Sequence, residues 1–245
     1  VFDQLLGETL RPGGLKLTAR IAEVAGIGED DTVLDIACGK GTTALFLARE
    51  YGCRVIGIDL SDKMLAFCRS KADKEQLADR VSFFLSDAES LPFCDCSFDT
   101  VISECSFSLL PNKESAARGI HRVLKSGGKL VMTDFILKGE INRELQNQIT
   151  FACCLAGACR AEEYIELFER VGFQSPYVED YSPELKKVAF QLGTKFGSID
   201  NFVGKLPAGP CRQKGSGDLA PSVESFWKFV RLGRPGYALI AMTKT

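Results

Sequence analysis

The sequence predicts an α/β protein built on a doubly wound parallel sheet. Between residues 32 and 134, short apolar runs alternate with segments of helical periodicity, the pattern of a parallel sheet covered by helices on both faces. Each run is rich in Val, Ile, Leu or Phe, as expected for a strand buried on both sides. A chain of 245 residues can bury the core that such a fold needs.

The elements follow in order from these patterns. Leu17, Ile21 and Val24 form an apolar stripe that predicts a helix ending at Gly26. Ser61 is a suitable N-cap for a later helix, and a further apolar stripe, over residues 116–124, ends before two glycines. The predicted strands of this part of the chain are 32–36, 54–59, 81–86, 98–103 and 129–134.

After residue 134 the pattern becomes irregular. A mixed helical stretch over about 140–171 precedes a predicted strand at 173–180. Two helices, 183–203 and 222–232, are predicted around a loop at 207–221 whose Gly, Pro and Lys content is typical of a mobile segment. A last strand is predicted at 237–243. We expect one domain, with a core of about 15–180 plus 236–245 and a helical cover of about 138–170 and 182–235.

Composition narrows the classes of function. The 30 basic and 32 acidic side chains leave a net charge of −2, which argues against nonspecific binding to nucleic acid or anionic membranes. No apolar run approaches the roughly 18 residues of a membrane-spanning helix. Ten cysteines are too few for a disulfide scaffold in a chain of this length. We therefore expect a cytoplasmic protein with neither nucleic acid nor a membrane as its partner; oligomeric state is left open.

A glycine loop joins the first predicted strand to the following helix. Gly39 and Gly41 allow the backbone to approach a ligand, and the free N–H groups at the helix start suit an anionic group. Asp59, at the end of the second strand, is placed to reach ribose hydroxyls. With Ala44 the same pattern also matches the dinucleotide fingerprint, so a nicotinamide-dependent oxidoreductase is an alternative.

Asp35 favours a different cofactor. A carboxylate just before the loop would repel the pyrophosphate of a nicotinamide cofactor, whereas it would attract the ammonium group of a methionine moiety. S-adenosylmethionine therefore fits the loop better than NAD.

Four sequence blocks now make the chain similar to a known family, the class I S-adenosylmethionine-dependent methyltransferases. The resemblance extends over about residues 10–180, and its blocks are DIACGKG at 35–41, SDAESLPF at 86–93, SFDTVIS at 97–103 and RVLKSGGKL at 122–130. It implies a Rossmann-like sheet of seven strands, the last antiparallel. It also implies in-line methyl transfer to a small-molecule acceptor, for which the enzyme supplies proximity and a water-poor site rather than an obligatory acid or base.

The resemblance also implies which residues bind the cofactor. The acid before the loop and the loop itself hold the methionine end, the acid after the second strand binds the ribose, and later residues surround the adenine and the methyl group. In this chain these residues are Asp35, Ala37, Cys38, Gly39, Gly41, Asp59, Leu60, Met64, Asp87, Ala88 and Glu104. Ala37 stands where the family's loop has its first glycine.

Two further blocks resemble the arsenite methyltransferases, ISECSFSL at 102–109 and CLAGA at 154–158. Those enzymes hold trivalent arsenic with cysteine thiolates, which are soft ligands suited to a soft centre. The resemblance implies that Cys154 holds the substrate; Cys105 is a further candidate for holding it, and Glu104 is a candidate for lining the methyl-transfer site. Cys211 is a candidate second ligand, with Cys105, Cys153 and Cys159 as other possibilities.

Two departures weaken this closer resemblance. The arsenite family has a cysteine before the glycine loop, whereas residues 1–37 contain none, and Glu104 replaces the usual asparagine. Cys38, Cys53 and Cys68 are expected to be small buried apolar residues in the fold.

Other candidate residues have simpler interpretations. His121, the only histidine, is expected to be structural, and the spacing of Cys94 and Cys96 does not predict a zinc site. Arg11 either belongs to a lid near an anionic group or lies in a solvated turn, and we expect the turn. Besides an oxidoreductase, a non-catalytic module that binds S-adenosylmethionine is an alternative, and the acceptor is not determined.

Overall fold

A computed structural model describes residues 11–142, 145, 155, 157–205 and 223–245. The strands are β1 Thr32–Ile36, β2 Arg54–Asp59, β3 Val81–Leu85, β4 Phe98–Glu104, β5 Leu124–Leu137, β6 Phe173–Asp180 and β7 Pro235–Lys244. The helices are α1 Gly14–Ala25, α2 Thr42–Tyr51, α3 Asp62–Lys74, α4 Lys113–Val123, α5 Ala161–Arg170, α6 Ser182–Phe196, α7 Ile199–Val203 and α8 Val223–Gly233. In this part of the chain, no helix has the length and apolar character needed to cross a membrane.

The strands form one seven-stranded sheet in the order β3-β2-β1-β4-β5-β7-β6. β1 pairs in parallel with β2 and β4, whereas β7 runs antiparallel to both β5 and β6. The predicted doubly wound sheet with an antiparallel last strand is therefore confirmed. Because the order reverses between β1 and β4, a ligand crevice is expected beyond the carboxyl ends of these strands.

The core lies on both faces of the sheet. On one face α1, α2 and α3 pack their apolar residues against the strands, for example Leu17, Leu45 and Leu65. On the other face α4 and α5 do the same, with Ile120 and Phe168 fully buried. Side chains alternate between the two faces along each strand, so residue parity decides which face a site residue occupies.

The sequence predicted β1, β2 and β6 to the residue, and three other predictions need correction. β5 is longer than 129–134, because Leu124 pairs with Phe98 at its start and Leu137 pairs with Pro235 at its end. The same pairing makes β7 longer than 237–243. The helix predicted at 183–203 is two helices, α6 and α7. Gly197 adopts a left-handed φ of 81° that ends α6, and the Ser198 hydroxyl then accepts the Asn201 amide and caps α7.

Candidate functional site

The glycine loop between β1 and α2 has three residues in the left-handed region. Ala37, Gly39 and Gly41 have φ values of 55°, 53° and 68°. A Cβ on Gly41 would lie 3.0 Å from both the Cys68 sulfur and the Phe83 ring, so this glycine is packed from below. A Cβ on Gly39 would meet nothing within 4 Å. The loop is thus supported on its inner side and open at Gly39.

Asp59 fixes the loop from the neighbouring strand. Its Oδ2 accepts the Gly39 amide at 2.9 Å, and its Oδ1 accepts the Ser61 amide at 2.9 Å. Leu60, the next residue, is 72% exposed although it is apolar, and Met64 lies half-buried in the first turn of α3. An acid and an uncovered apolar surface therefore lie side by side at the end of β2.

Asp87 and Ala88 follow β3, which pairs with β2 at the same edge of the sheet. Asp87 is exposed and its Oδ1 accepts the Glu89 amide at 2.9 Å, whereas Ala88 is buried. Cys38 and Cys68 are buried beneath the loop and hydrogen-bonded to each other, and the Cys68 thiol also donates to the Gly39 carbonyl at 3.1 Å. The Cys68 side chain therefore supports the loop, and Cys38 contacts it from within the loop.

Asp35 and Glu104 lie on the same face of adjacent strands. Asp35 pairs with Ile102 in register, and Glu104 comes two residues later in β4, so both carboxylates are on the face covered by α1 and α2. Asp35 is 2% exposed, and its Oδ2 has no hydrogen-bond partner among the described residues. Burial, and secondarily the Glu104 carboxylate, raise the pKa of Asp35 well above its usual range, while Arg11 opposes this.

Glu104 lies within a polar network that sequence reasoning did not find. Its Oε1 accepts the Thr43 hydroxyl at 2.6 Å and the Thr18 hydroxyl at 3.2 Å, and it pairs with the Arg11 guanidinium at 3.2 Å. Arg11 also donates to Thr43 and Thr18. The available signal was Thr18, a polar residue within the apolar stripe of α1, which the structure buries completely.

The expected solvated turn at Arg11 is therefore wrong. The Arg11 side chain is only 18% exposed, because it lies across the start of α2 and the end of β4. One cation thus faces two carboxylates, Asp35 and Glu104, at this edge of the sheet.

Two of the candidate substrate-binding cysteines, Cys105 and Cys159, lie within the described residues. Cys105 is half-buried with a left-handed φ of 57°, and its amide donates to the Thr133 carbonyl at 2.7 Å. Cys159 packs beside Tyr164, and burial raises the pKa of its thiol to about 12. Cys153, Cys154 and Cys211 lie outside the described residues. Within the described ranges, no three or more His, Cys, Asp or Glu side chains are placed to hold a metal ion.

His121 contributes to packing. Its ring lies edge-on to Phe173 with the ring centroids 5.1 Å apart, and burial lowers its pKa. This contact matches the structural role expected from the sequence.

The fold and this edge define a class of protein. The sheet is doubly wound and has a glycine loop where its strand order reverses, with an acid after β2 and a buried acid before the loop. This combination is typical of proteins that bind an adenosine-containing cofactor. A family model described as a methyltransferase domain matches residues 27–172. The chain belongs to the class I S-adenosylmethionine-dependent methyltransferases, as its resemblance implied.

Relatives of known name agree on the family and differ in acceptor. The chain is 35% identical over 149 residues to 27-O-demethylrifamycin SV methyltransferase of Amycolatopsis mediterranei, covering 56% of this chain and 55% of that protein. It is 32% identical over 162 residues to arsenite methyltransferase of Aquipseudomonas alcaligenes, covering 62% and 46%.

A solved structure shows the same fold. Phosphoethanolamine N-methyltransferase 2 of Haemonchus contortus superimposes with a TM-score of 0.75 at 24% identity, over 99% of this chain and 56% of that one. The chain thus spans about half the length of each of these three proteins.

Proposed function

We propose that this protein binds S-adenosylmethionine at the carboxyl ends of β1, β2 and β3 and transfers its methyl group in line to a small-molecule acceptor. The observation that carries the proposal is the unpaired, buried Oδ2 of Asp35 beside the open glycine loop. A buried polar atom without a partner costs about 1–3 kcal/mol, which the ammonium group of a bound methionine moiety would relieve.

The other residues at this edge fit the rest of the cofactor. The loop at 37–41 would enclose the methionine end, with the open side of Gly39 leaving room for it. Asp59 would accept the ribose hydroxyls, and the exposed surface of Leu60 with Met64 would cover an adenine face. Asp87 and Ala88, one strand further, would border the adenine edge.

The acceptor would lie beside the segment that follows β4, which we call the acceptor segment, residues 105–110. Glu104 is the last residue of β4 and immediately precedes this segment, and its Oε1 is already held by Thr43, Thr18 and Arg11. Glu104 therefore fits a role in shaping the charge around the methyl-transfer site. Attack by a lone pair on the sulfonium methyl needs alignment and exclusion of water, so none of these side chains has to act as an acid or base.

Arsenite is a specific second candidate for the acceptor. Cys105 lies at the start of the acceptor segment, and a curated relative of 32% identity is named for arsenite methylation. Trivalent arsenic would need further thiols from Cys154, Cys153 or Cys211. Cys159 is less suited in this arrangement because burial raises the pKa of its thiol to about 12, which disfavours the thiolate form that binds arsenic.

The first experiment tests the cofactor. Calorimetric titration with S-adenosylhomocysteine and with NAD should show tight binding of the former alone. Tight binding of NAD instead would favour the oxidoreductase alternative and overturn the proposal.

The second experiment tests the acceptor. Labelled S-adenosylmethionine is incubated with arsenite plus excess glutathione, and separately with phosphoethanolamine, and products are read by mass. Loss of methylated arsenic in Cys154→Ser, but not in the exposed control Cys94→Ser, would establish arsenite as the acceptor. S-adenosylhomocysteine binding without product on any acceptor tried, including a wider panel of hydroxyl compounds, would support the non-catalytic module.

A further inference from the structure

A buried carboxylate at the end of β5 contacts the acceptor segment directly. Asp134 is 1% exposed and lies on the face covered by α4 and α5, opposite to Asp35. Its Oδ2 accepts the Ser108 amide at 2.7 Å, and its Oδ1 accepts the Ser108 hydroxyl at 2.8 Å. Oδ1 also accepts the Phe135 amide at 2.7 Å. Asp134 therefore binds both the backbone and the side chain of one residue in the segment.

The same segment is held at three further points. The Lys113 ammonium donates to the carbonyls of Ser108 at 2.8 Å and Leu110 at 3.0 Å. The Ser106 hydroxyl lies 2.7 Å from that of Ser103, and the Cys105 amide donates to the Thr133 carbonyl at 2.7 Å. These bonds join the acceptor segment to β4, β5 and α4, so its conformation is set by buried polar contacts rather than by solvent.

The residues that lead toward the helical cover pack on the same point. Gly157 has no room for a Cβ, which would overlap the Ser108 carbonyl oxygen and the Lys113 ammonium. The Tyr164 hydroxyl donates to the Gly157 carbonyl at 3.5 Å, and Tyr164 is fully buried. Ser108 is thus the place where the acceptor segment, β5 and the residues before α5 meet.

We propose that Asp134 and Ser108 form a clamp that positions the acceptor segment for methyl transfer, with Asp134 as a positioning residue outside the reacting groups. This inference rests on the proposed function, because it assigns a role to the segment that borders the acceptor. Because one carboxylate accepts two hydrogen bonds from the same residue, it fixes both the location and the orientation of that residue. A displacement of about 1 Å at a methyl-transfer site is enough to reduce turnover by roughly 100-fold.

Asp99 provides a matched control at the opposite end of the sheet. Its Oδ2 accepts the Thr32 amide at 2.9 Å, and it pairs with Lys125 at 2.7 Å, so it too is a carboxylate that holds a backbone amide. It lies at the amino end of β4, far along the strand from the acceptor segment. Asp99→Asn therefore weakens a comparable contact without touching the proposed site.

The test compares Asp134→Asn, Ser108→Ala and Asp99→Asn with the wild type. Affinity for S-adenosylhomocysteine should stay within about 3-fold in all of them, because the clamp lies on the other face from the cofactor loop. With the acceptor found in the product assay, Asp134→Asn should lower kcat by roughly 100-fold with a much smaller change in KM, and Ser108→Ala should give a smaller loss of kcat. Asp99→Asn should leave kcat within about 2-fold.

Hydrogen exchange gives a readout that does not need an acceptor. In the complex with S-adenosylhomocysteine, Asp134→Asn should speed exchange at the Ser108 amide by about tenfold, as expected for a weakened charge-assisted bond, and Asp99→Asn should not.

The outcomes separate the two proposals. An unchanged kcat in Asp134→Asn, an equal loss in Asp99→Asn, or unchanged exchange at Ser108 would overturn the clamp. Failure of the wild-type protein to bind S-adenosylhomocysteine would overturn the proposed function instead.

Discussion

The two ends of the central strands carry similar residues with opposite electrostatics. Asp134 and Asp99 both accept a backbone amide, one at the carboxyl end of the sheet and one at the amino end. Burial raises the pKa of Asp134 to about 6 against the lowering effect of the Ser108 bonds. For Asp99, burial is outweighed by the Lys125 and Thr32 bonds, and the pKa is lowered. A carboxylate's role therefore depends on how much water and positive charge remain around it.

Two glycines with left-handed backbone angles also lie at opposite ends of the sheet. Gly39 at the carboxyl end has a φ of 53° and Gly127 at the amino end has a φ of 76°, and a Cβ on either would meet nothing within 4 Å. Only the space beside Gly39 is part of the proposed cofactor site. Substitutions at these two glycines can therefore distinguish the effect of backbone strain from the effect on cofactor binding.

The largest expected effect comes from alanine at these two glycines. Each substitution should lower the free energy of unfolding by about 1 kcal/mol, because L-residues are strained at positive φ. Only Gly39→Ala should also weaken S-adenosylhomocysteine binding, by roughly 100-fold, because its methyl group would overlap the ligand. Urea unfolding and calorimetry measure the two quantities. An equal affinity in both variants would contradict the placement of the cofactor at the loop.

Asp59→Asn comes next, with Asp62→Asn as its control three residues later. Asp59 holds the Gly39 amide and is proposed to bind the ribose, so its loss should weaken S-adenosylhomocysteine by roughly 30-fold, or about 2 kcal/mol. Asp62 is exposed in the first turn of α3 and should affect stability by only a few tenths of a kcal/mol. Comparable affinity losses for the two variants, measured by calorimetry, would count against a ribose contact.

Asp134 and its control Asp99 should give opposite pH dependences of the free energy of unfolding. The raised pKa of Asp134 means that the folded state binds a proton more readily than the unfolded state, so stability should fall as pH rises from about 4 to 6. The lowered pKa of Asp99 means that its contribution is present above its ordinary pKa and is lost on acidification below it.

Urea unfolding at about pH 2.5, 4 and 6.5 can resolve these signs, with an effect on the order of 1–3 kcal/mol for Asp134. Asp134→Asn should flatten the decline between pH 4 and 6.5, whereas Asp99→Asn should flatten the loss between about pH 4 and 2.5. A decline that persists unchanged in Asp134→Asn would assign it to another group, such as Asp35.

The smallest effect is expected from glycine at two exposed left-handed residues. Ala37 in the cofactor loop and Cys96 before β4 have φ values of 55° and 53°. Relief of backbone strain should slightly exceed the added entropy of the unfolded chain, so Ala37→Gly and Cys96→Gly should raise the free energy of unfolding by at most about 1 kcal/mol. Neither should alter S-adenosylhomocysteine affinity by more than about 2-fold, and a larger loss in Ala37→Gly would show that its methyl group contacts the ligand.

Much of the fold could be predicted because its signals are local. β1 and β2 are short apolar runs next to glycines, and both were placed to the residue. The end of α6 was missed although Gly197 and Ser198 carried a stop and a cap signal, because apolar residues continue on both sides. The extent of β5 depends on pairing with β7, about 100 residues away in sequence, and has no local signal.

The site divides in the same way. Asp35, the loop glycines and Asp59 stand at strand ends that the sequence reveals, so they could be recognised as a cofactor site. The charge of Asp35 and the resemblance of four sequence blocks to a known family then favoured S-adenosylmethionine over NAD. The contact of Thr18 with Glu104 joins residues 86 apart, and that of Ser108 with Asp134 joins residues 26 apart. Only the tertiary structure decided these contacts. The pairing of distant strands, and the face of the sheet on which each side chain lies, depend on sheet register, and no short stretch of sequence specifies that register.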